Sequence, residues 1–464
     1  MKRSECHERF QRSPQGDKPA AYRCTARCLP SLVAALLVAG AEAQAADASP
    51  GLEAVETPVV ADGEPRPVGW LSDPASSPRD AFEALVSGKV HLNNRTRFEF
   101  ADTTGRNSSS AFTNRLRLGY ESKPFFGLSG FVEMENVATP APDNFFVPAT
   151  GDGTPDRTVV ADPPGTEINR AYARWSPATN GDLRPFVDIR AGRQRIKLDD
   201  DRFIGNIGWR QFEQTFDAAS INTDLGVEDL EIFYAYVWRV QRIFGPDGTN
   251  PDSQSHLINA RYKVSPELTA TAFAYLLDFR GDEPLNSSNS FGVRLTGTLA
   301  SGSDTSADYE VTYAHQTDAG SNPVDYNADF VAAQVKLNQA GLGFVLAGYQ
   351  FLGSDDGVFA FRFPLGTNHK FQGFADNFLV TPAGGLQDAF VGVGGELPFG
   401  VKASVTYHEY WSDIGGDDQG EELNAVARKQ LRPNWTALVK AAYFDGDSGQ
   451  PDTTRLWAQT TFSF

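Results

Sequence analysis

The sequence predicts an all-β fold, a transmembrane antiparallel β-barrel of about eighteen strands, from three observations. From Lys89 onward, segments of roughly ten residues alternate apolar with polar side chains, the period-two pattern of strands in a membrane barrel. The connections after even-numbered segments are short and every long one follows an odd-numbered segment, which fits short turns on one side of a membrane and long loops on the other. Aromatic residues are abundant (33 Phe, 14 Tyr, 7 Trp), which suits a pleated surface and argues against disorder.

The segments read as strands are 88–101, 111–122, 127–138, 166–176, 184–195, 213–222, 228–240, 255–264, 267–279, 288–300, 306–316, 326–337, 341–352, 387–396, 400–413, 420–430, 434–445 and 454–464. The long connections are 139–165, 196–212 and 353–386. Within 464 residues, 41 Lys and Arg stand against 59 Asp and Glu, a net charge of −18, which excludes a nucleic-acid partner because such binding needs a basic face. A polytopic helical membrane protein is excluded as well, since there is one apolar run of any length.

That run, Leu29 to Gly40, is too short to span a bilayer. Lys2, Arg3, Arg9, Arg12, Lys18, Arg23 and Arg27 precede it and Ala43-Gln44-Ala45 follows, so a signal peptide is expected over 1–45. Its removal takes Cys6, Cys24 and Cys28 with it, leaving neither a disulfide nor a cysteine metal site to expect, and no cofactor. Residues 46–87 are rich in Pro, Ala and acid and read as a periplasmic leader, with a short helix from Pro78 to Leu85 capped by Ser77; the barrel occupies 88–464.

A barrel this wide has a polar lumen, so polar strand faces point inward. In the first strand Leu92, Thr96, Phe98 and Phe100 face lipid, and His91, Asn93, Arg95, Arg97 and Glu99 face the pore. In the second, Leu116, Leu118 and Tyr120 face out, and Arg115, Arg117 and Glu121 face in. Arg170, Arg174, Arg190, Arg261, Lys263, Arg294, Lys336, Lys402, Arg428, Lys440 and Arg455 fall on inward faces by the same alternation. Acid lies largely in the connections, as in Asp199-Asp200-Asp201, Asp355-Asp356, Asp417-Asp418 and Glu421-Glu422. Two readings follow: the arginines attract carboxylates or phosphates in the pore, or they pair with Glu99, Glu121, Glu133, Glu135, Glu167 and Asp188 and stiffen the wall. The acidic loops serve solubility or divalent bridging to lipopolysaccharide, and no segment has calcium-loop spacing.

An enzyme is not expected. His91, His256, His315, His369 and His408 are scattered, no Gly-x-Ser-x-Gly elbow occurs, and His408 and Glu409 fall on opposite strand faces. Tyr120, Phe125, Phe126, Trp175, Trp238, Tyr410, Trp411 and Trp435 lie near strand ends and suit interfacial girdles.

The final strand, ending on Phe462-Ser463-Phe464, resembles the insertion signal of bacterial outer-membrane proteins. The stretch Ile189 to Ala218 resembles the signature region of the alginate-export porin family, through Gly192-Arg193-Gln194, Asp200, Arg202-Phe203, Gly205, Gly208-Trp209-Arg210-Gln211 and Phe216-Asp217-Ala218. The strands opening at Val90 and at Asn114 are similar to that family's first two. The resemblance implies an outer-membrane barrel with an arginine- and lysine-rich constriction that passes a polyuronate by diffusion. It implies Arg97, Arg117, Arg193, Arg210 and Arg428 as constriction residues, and Arg95, Arg115, Arg174 and Arg294 join them as pore-lining candidates. Gly192 leaves the facing of Arg193 open, and the connection with Trp209 and Arg210 either folds into the lumen or packs on the rim. The implied partners are outer-membrane lipids and lipopolysaccharide, an anionic polysaccharide or small anionic solute, and periplasmic export components. A general uptake porin for anions or oligosaccharides is the alternative.

Overall fold

The structure, a computed structural model, describes residues 77–141, 144–177, 186–281 and 283–464. The expected signal peptide and most of the leader lie outside the described residues. The leader's helix is present as α1, Ala81–Val86, but its cap is Asp80 and not Ser77. Asp80 has the extended backbone of a cap and stands directly before the first helical residue, so its carboxylate accepts the Glu83 N–H at 2.8 Å. The helix is tied to the barrel by the Tyr120 hydroxyl, which donates to the Leu85 carbonyl, and by the Lys123 N–H, which donates to Ala84 at 3.0 Å.

Eighteen antiparallel strands form the wall: β1 Lys89–Thr103, β2 Ser109–Glu121, β3 Leu128–Ala138, β4 Gly165–Trp175, β5 Val187–Gln194, β6 Thr215–Thr223, β7 Leu230–Gln241, β8 Asp252–Ser265 and β9 Leu268–Leu277, then β10 Ser288–Ser301, β11 Thr305–Asp318, β12 Asn327–Gln339, β13 Gly343–Leu352, β14 Leu386–Leu397, β15 Val401–Trp411, β16 Asp418–Arg432, β17 Trp435–Gly446 and β18 Thr453–Ser463. Each expected segment coincides with one of these strands. Every strand pairs with its neighbours in sequence, and β1 closes the ring against β18, from Asn93 opposite Ser463 to Thr103 opposite Thr453. Closure leaves no free edge, which is what a strand structure in lipid requires. The three long connections, 139–164, 195–214 and 353–385, all leave the same end.

The wall is sorted as an inside-out protein. In β1 and β2 the inward Arg95, Arg97, Arg115 and Arg117 are at most 2% exposed, while the outward Phe98 and Leu118 are each 43% exposed. The polar-lumen rule does not hold all the way round, however. Phe273 and Tyr275 of β9 and Phe330 of β12 point inward, where Phe203 of loop 195–214 and Phe361 and Phe363 of loop 353–385 meet them at 4.7 to 5.8 Å between ring centres. The cause is the inserted loops: they carry apolar side chains into the lumen, and the facing wall buries them. Tyr410, expected in a girdle, belongs to this interior as well, fully buried and 4.8 Å from Phe378.

Candidate functional site

The first two strands place like charges together. Arg95 and Arg115 are direct cross-strand partners, with Arg97 and Arg117 one step away on either side. Such an array is unfavourable by itself, and loop 195–214 resolves it by turning its carbonyl oxygens onto the wall. Arg95 Nη1 donates to the carbonyls of Gly208 (2.9 Å), Arg210 (3.1 Å) and Trp209 (3.3 Å), and Arg115 Nη1 to that of Gln211 (3.4 Å). Arg97 donates to the Trp209 carbonyl, to Gln459 at 2.7 Å and to Asp162 at 3.2 Å. Arg117 meets Glu135 at 2.6 Å and Glu213 at 3.5 Å.

Glu213, on the same loop, gathers a second set. It accepts from Arg195 at 2.7 Å and from Asn169 at 2.7 Å, and it also takes Asn206. A bulge between Glu133 and Met134 on one strand and Ile168 and Arg170 on the other turns both Asn169 and Arg170 inward, where Arg170 forks onto Glu133 at 3.0 Å. The loop therefore folds into the lumen and is held there by the arginine bank, which settles the alternative of a rim position.

The third loop, 353–385, is laid against the second. Ile204 and Leu365 form a parallel bridge, with the Gly205 N–H donating to Leu365 and the Thr367 N–H to Asp201, each at 2.9 Å. Arg210 joins them by pairing with Asp376, and reaches Glu99 of the wall at 3.5 Å. At the centre lies His369, stacked on Trp209 with ring centres 4.9 Å apart and planes 8° apart. Its Nδ1 faces Asp376 at 2.6 Å and its Nε2 faces the Lys440 ammonium at 2.8 Å. Burial pushes the His369 imidazole down to about 3, because Lys440 adds to the burial and Asp376 offsets only part of it. Burial would raise the Asp376 carboxyl, but His369 and Arg210 outweigh it and hold that group below the usual carboxylate range.

Beside these loops a cavity of about 1370 Å³ remains open. Arg190, Arg261, Arg294 and Lys336 reach it from the wall and Arg195, Lys197 and Lys370 from the loops, interleaved with an equal number of carboxylates, Asp188, Asp199, Asp200, Asp201, Glu231, Asp308 and Glu310. Arg294 is held by Glu310 at 2.9 Å and Asp200 at 3.6 Å, and Arg261 stands 58% exposed, 4.0 Å from Glu231.

The residues singled out from sequence thus separate into groups. Arg95, Arg97, Arg115, Arg117 and Arg210 come together in one buried network and are not on the open cavity. Arg294 lines the cavity, while Arg174, on Asp188 at 2.6 Å, and Arg428, opposite Lys402, sit on the wall nearer the short turns and do not line it. Arg193 corrects the expectation of a pore residue: it lies between inward Gly192 and Gln194 and faces outward, its guanidinium on Asp217 at 2.8 Å and on the Ile168 carbonyl at 2.8 Å. Arg195 and Lys197 belong to the motif stretch but are not among the expected site residues: Arg195 ends the expected strand 184–195, beyond the Gly192 that leaves the facing open, and Lys197 falls in a connection, where alternation gives no facing. Lys370 and His369 had no signal, since they meet the lumen only through the folding of a 33-residue connection between β13 and β14.

Comparison with known proteins agrees with this architecture. The family model for alginate export matches residues 92–353, more than half of the chain. Among curated proteins none matches. Among solved structures, Acinetobacter baumannii OccAB4 is similar with a TM-score of 0.62 at 13% identity, covering 81% of this chain and 97% of its own. A. baumannii OccAB2 (TM-score 0.63, 14% identity, 82% and 99%) and Pseudomonas aeruginosa OpdL (0.59, 15%, 82% and 99%) share the same fold. The closed eighteen-strand wall, in a chain that the alginate-export model matches over residues 92–353, is that of a channel in the bacterial outer membrane. With its arginine-pinned loop and the match across residues 92–353, the chain belongs to the alginate export family.

Proposed function

We propose that the barrel passively conducts an anionic polysaccharide such as alginate, or related anionic solutes, along the cavity beside the inserted loops. The observation that carries this reading is the set of partly exposed cations on that cavity, above all Arg261 at 58% and Arg190 at 31% exposed, within a family of this kind. Guanidinium groups in a narrow lumen favour carboxylates, and the neighbouring Asp188, Glu231 and Glu310 keep each contact weak enough for release. No chemical step is part of this reading. Lipopolysaccharide around the barrel and periplasmic export components at its short-turn end are the partners it implies.

Reversal potentials in planar bilayers under a salt gradient test the charge preference: anion selectivity is expected, and cation selectivity overturns the proposal. Block by oligouronates but not by neutral oligosaccharides of equal length identifies the solute. The interleaving of carboxylates among the cavity cations favours a second reading, uptake of small anionic solutes, in which short uronates or monocarboxylates block as well as long chains do.

A further inference from the structure

The outer face of β5 to β9 carries a feature that conduction does not use. Arg193, Asp217, Arg239, Asp252 and Arg280 stand directly opposite one another on successive strands, the last on Phe279–Arg280, a short continuation of β9 that pairs with the start of β8. They form one row of alternating charge. The row faces away from the lumen, because the sequence neighbours Phe216 and Ala218, Val240 and Phe279 all belong to the buried interior cluster.

Its height is defined by β7. From Leu230 to Arg239 the strand rises ~30 Å, or ~23 Å along the membrane normal at a tilt of ~40°, close to the ~25 Å apolar band of such barrels. The outward side chains over that length are Ile232, Tyr234, Tyr236 and Trp238, so Arg239 follows directly on the apolar face at the end carrying the long loops. Arg193 pairs with Asp217 at 2.8 Å, Arg239 with Asp252 at 2.7 Å, and Arg280 lies 3.5 Å from Asp278. The well-exposed members of the row are Arg239 at 46%, Asp252 at 64% and Arg280 at 57%, with Asp278 beside Arg280 less exposed, at 28%. The corresponding row on β15 to β17 is Glu409, Glu421 and Asp445, so the guanidiniums mark one sector of the rim.

We propose that this sector binds the phosphate-bearing headgroup of an outer-leaflet glycolipid, with Arg239 and Arg280 donating to phosphate oxygens and Asp252 accepting from a hydroxyl of the adjoining sugar. Guanidinium matches the geometry of phosphate, and at the edge of the apolar band both partners are partly shielded from water. The inference rests on the outer-membrane location and is independent of which solute the pore carries.

The test uses the folded full-length barrel in detergent micelles, titrated with lipid A or with the same lipid enzymatically stripped of phosphate, and bound lipid is counted by native mass spectrometry. The wild type is expected to prefer the phosphorylated form, with about five-fold of the preference lost per arginine removed in R239Q, R280Q and the double variant. Inorganic phosphate at equal concentration is expected not to displace the lipid, and folding is verified by heat-modifiable gel mobility. Equal retention of both lipid forms by the wild type overturns the proposal, as does undiminished preference in the double variant; displacement by inorganic phosphate overturns the headgroup assignment. Reversal potentials of the double variant stay unchanged if only this site is touched, which separates failure here from failure of the conduction reading.

Discussion

Arg97 lies across the face of Trp209, its guanidinium carbon 4.1 Å from the ring centre, and donates to the carbonyl of the same residue. One wall side chain thereby fixes both the backbone and the ring of the inserted loop, and that ring in turn stacks on His369 of the next loop.

Replacing Arg97 by Ala removes this anchor and leaves Asp162 buried beside an empty site. Breaking a buried pair of this kind costs about 3–5 kcal/mol. The urea midpoint of unfolding in micelles should fall accordingly, and single-channel records should become larger and noisier as loop 195–214 detaches. Unchanged conductance would mean that the loop is held without Arg97.

Arg294 and Arg193 make a matched pair for selectivity, one on the cavity and one on the outer face. Arg294→Gln should move the reversal potential toward cations, whereas Arg193→Gln should leave it in place and affect only stability. The reverse ranking would contradict the facing described for β5 and β10.

His369 supplies a pH dependence with a defined sign. Its imidazole is held down to about 3 in the folded protein, against about 6.5 in an unfolded chain. As pH falls below about 6.5 the unfolded chain takes up a proton that the folded one refuses, so the stability of the packed loop is lost progressively from there toward about 3. Asp376, also lowered, adds a loss in the acid part of that window. Conductance noise and protease sensitivity of loop 353–385 should rise on acidification, and His369→Gln should flatten the response between pH 6.5 and 4.

Phe203 is the wedge of the aromatic interior, with five rings within 6.1 Å of its own. Truncation to Ala should cost about 3 kcal/mol. Because the lost contacts join loop 195–214 to β9, β12 and loop 353–385, faster limited proteolysis of both loops is the readout, and an effect confined to one loop would show that they pack independently.

Much of the wall was legible. Period-two alternation identified all eighteen strands, and the inward facing of Arg95, Arg97, Arg115, Arg117 and Glu99 followed from it, because a strand offers a side chain only two directions. Arg193 was not legible in this way, since Gly192 at φ 123° opens a bulge as an option that only the pairing of Arg193 with Asp217 closes. Tyr410 misled for a different reason: its neighbours say where the strand ends, and nothing in them says that Phe378 and Phe444 will cover its inner face.

Two readings of the inward arginines were open from sequence, attraction of anions or stiffening of the wall. For the bank on β1 and β2 the structure decides for pairing, with the carbonyls of Gly208 to Gln211 taking as large a part as the carboxylates. A peptide carbonyl has no signature in a sequence, so no count of charges could have found this partner.

The sequence by itself determined the barrel, its strand number, the parity of its connections and which wall residues are polar inside, because each depends on local alternation and on lipid excluding unpaired backbone. Only the tertiary structure decided that two loops enter the lumen, that the arginine bank of β1 and β2 is spent on holding them, and that the open cavity is lined by other cations, among them Arg190, Arg261, Arg294 and Lys370. The physical reason is distance along the chain: Arg97 and Trp209 are 112 residues apart and Arg210 and Asp376 are 166 apart, and contacts of that kind exist only once the ring of strands has closed around them.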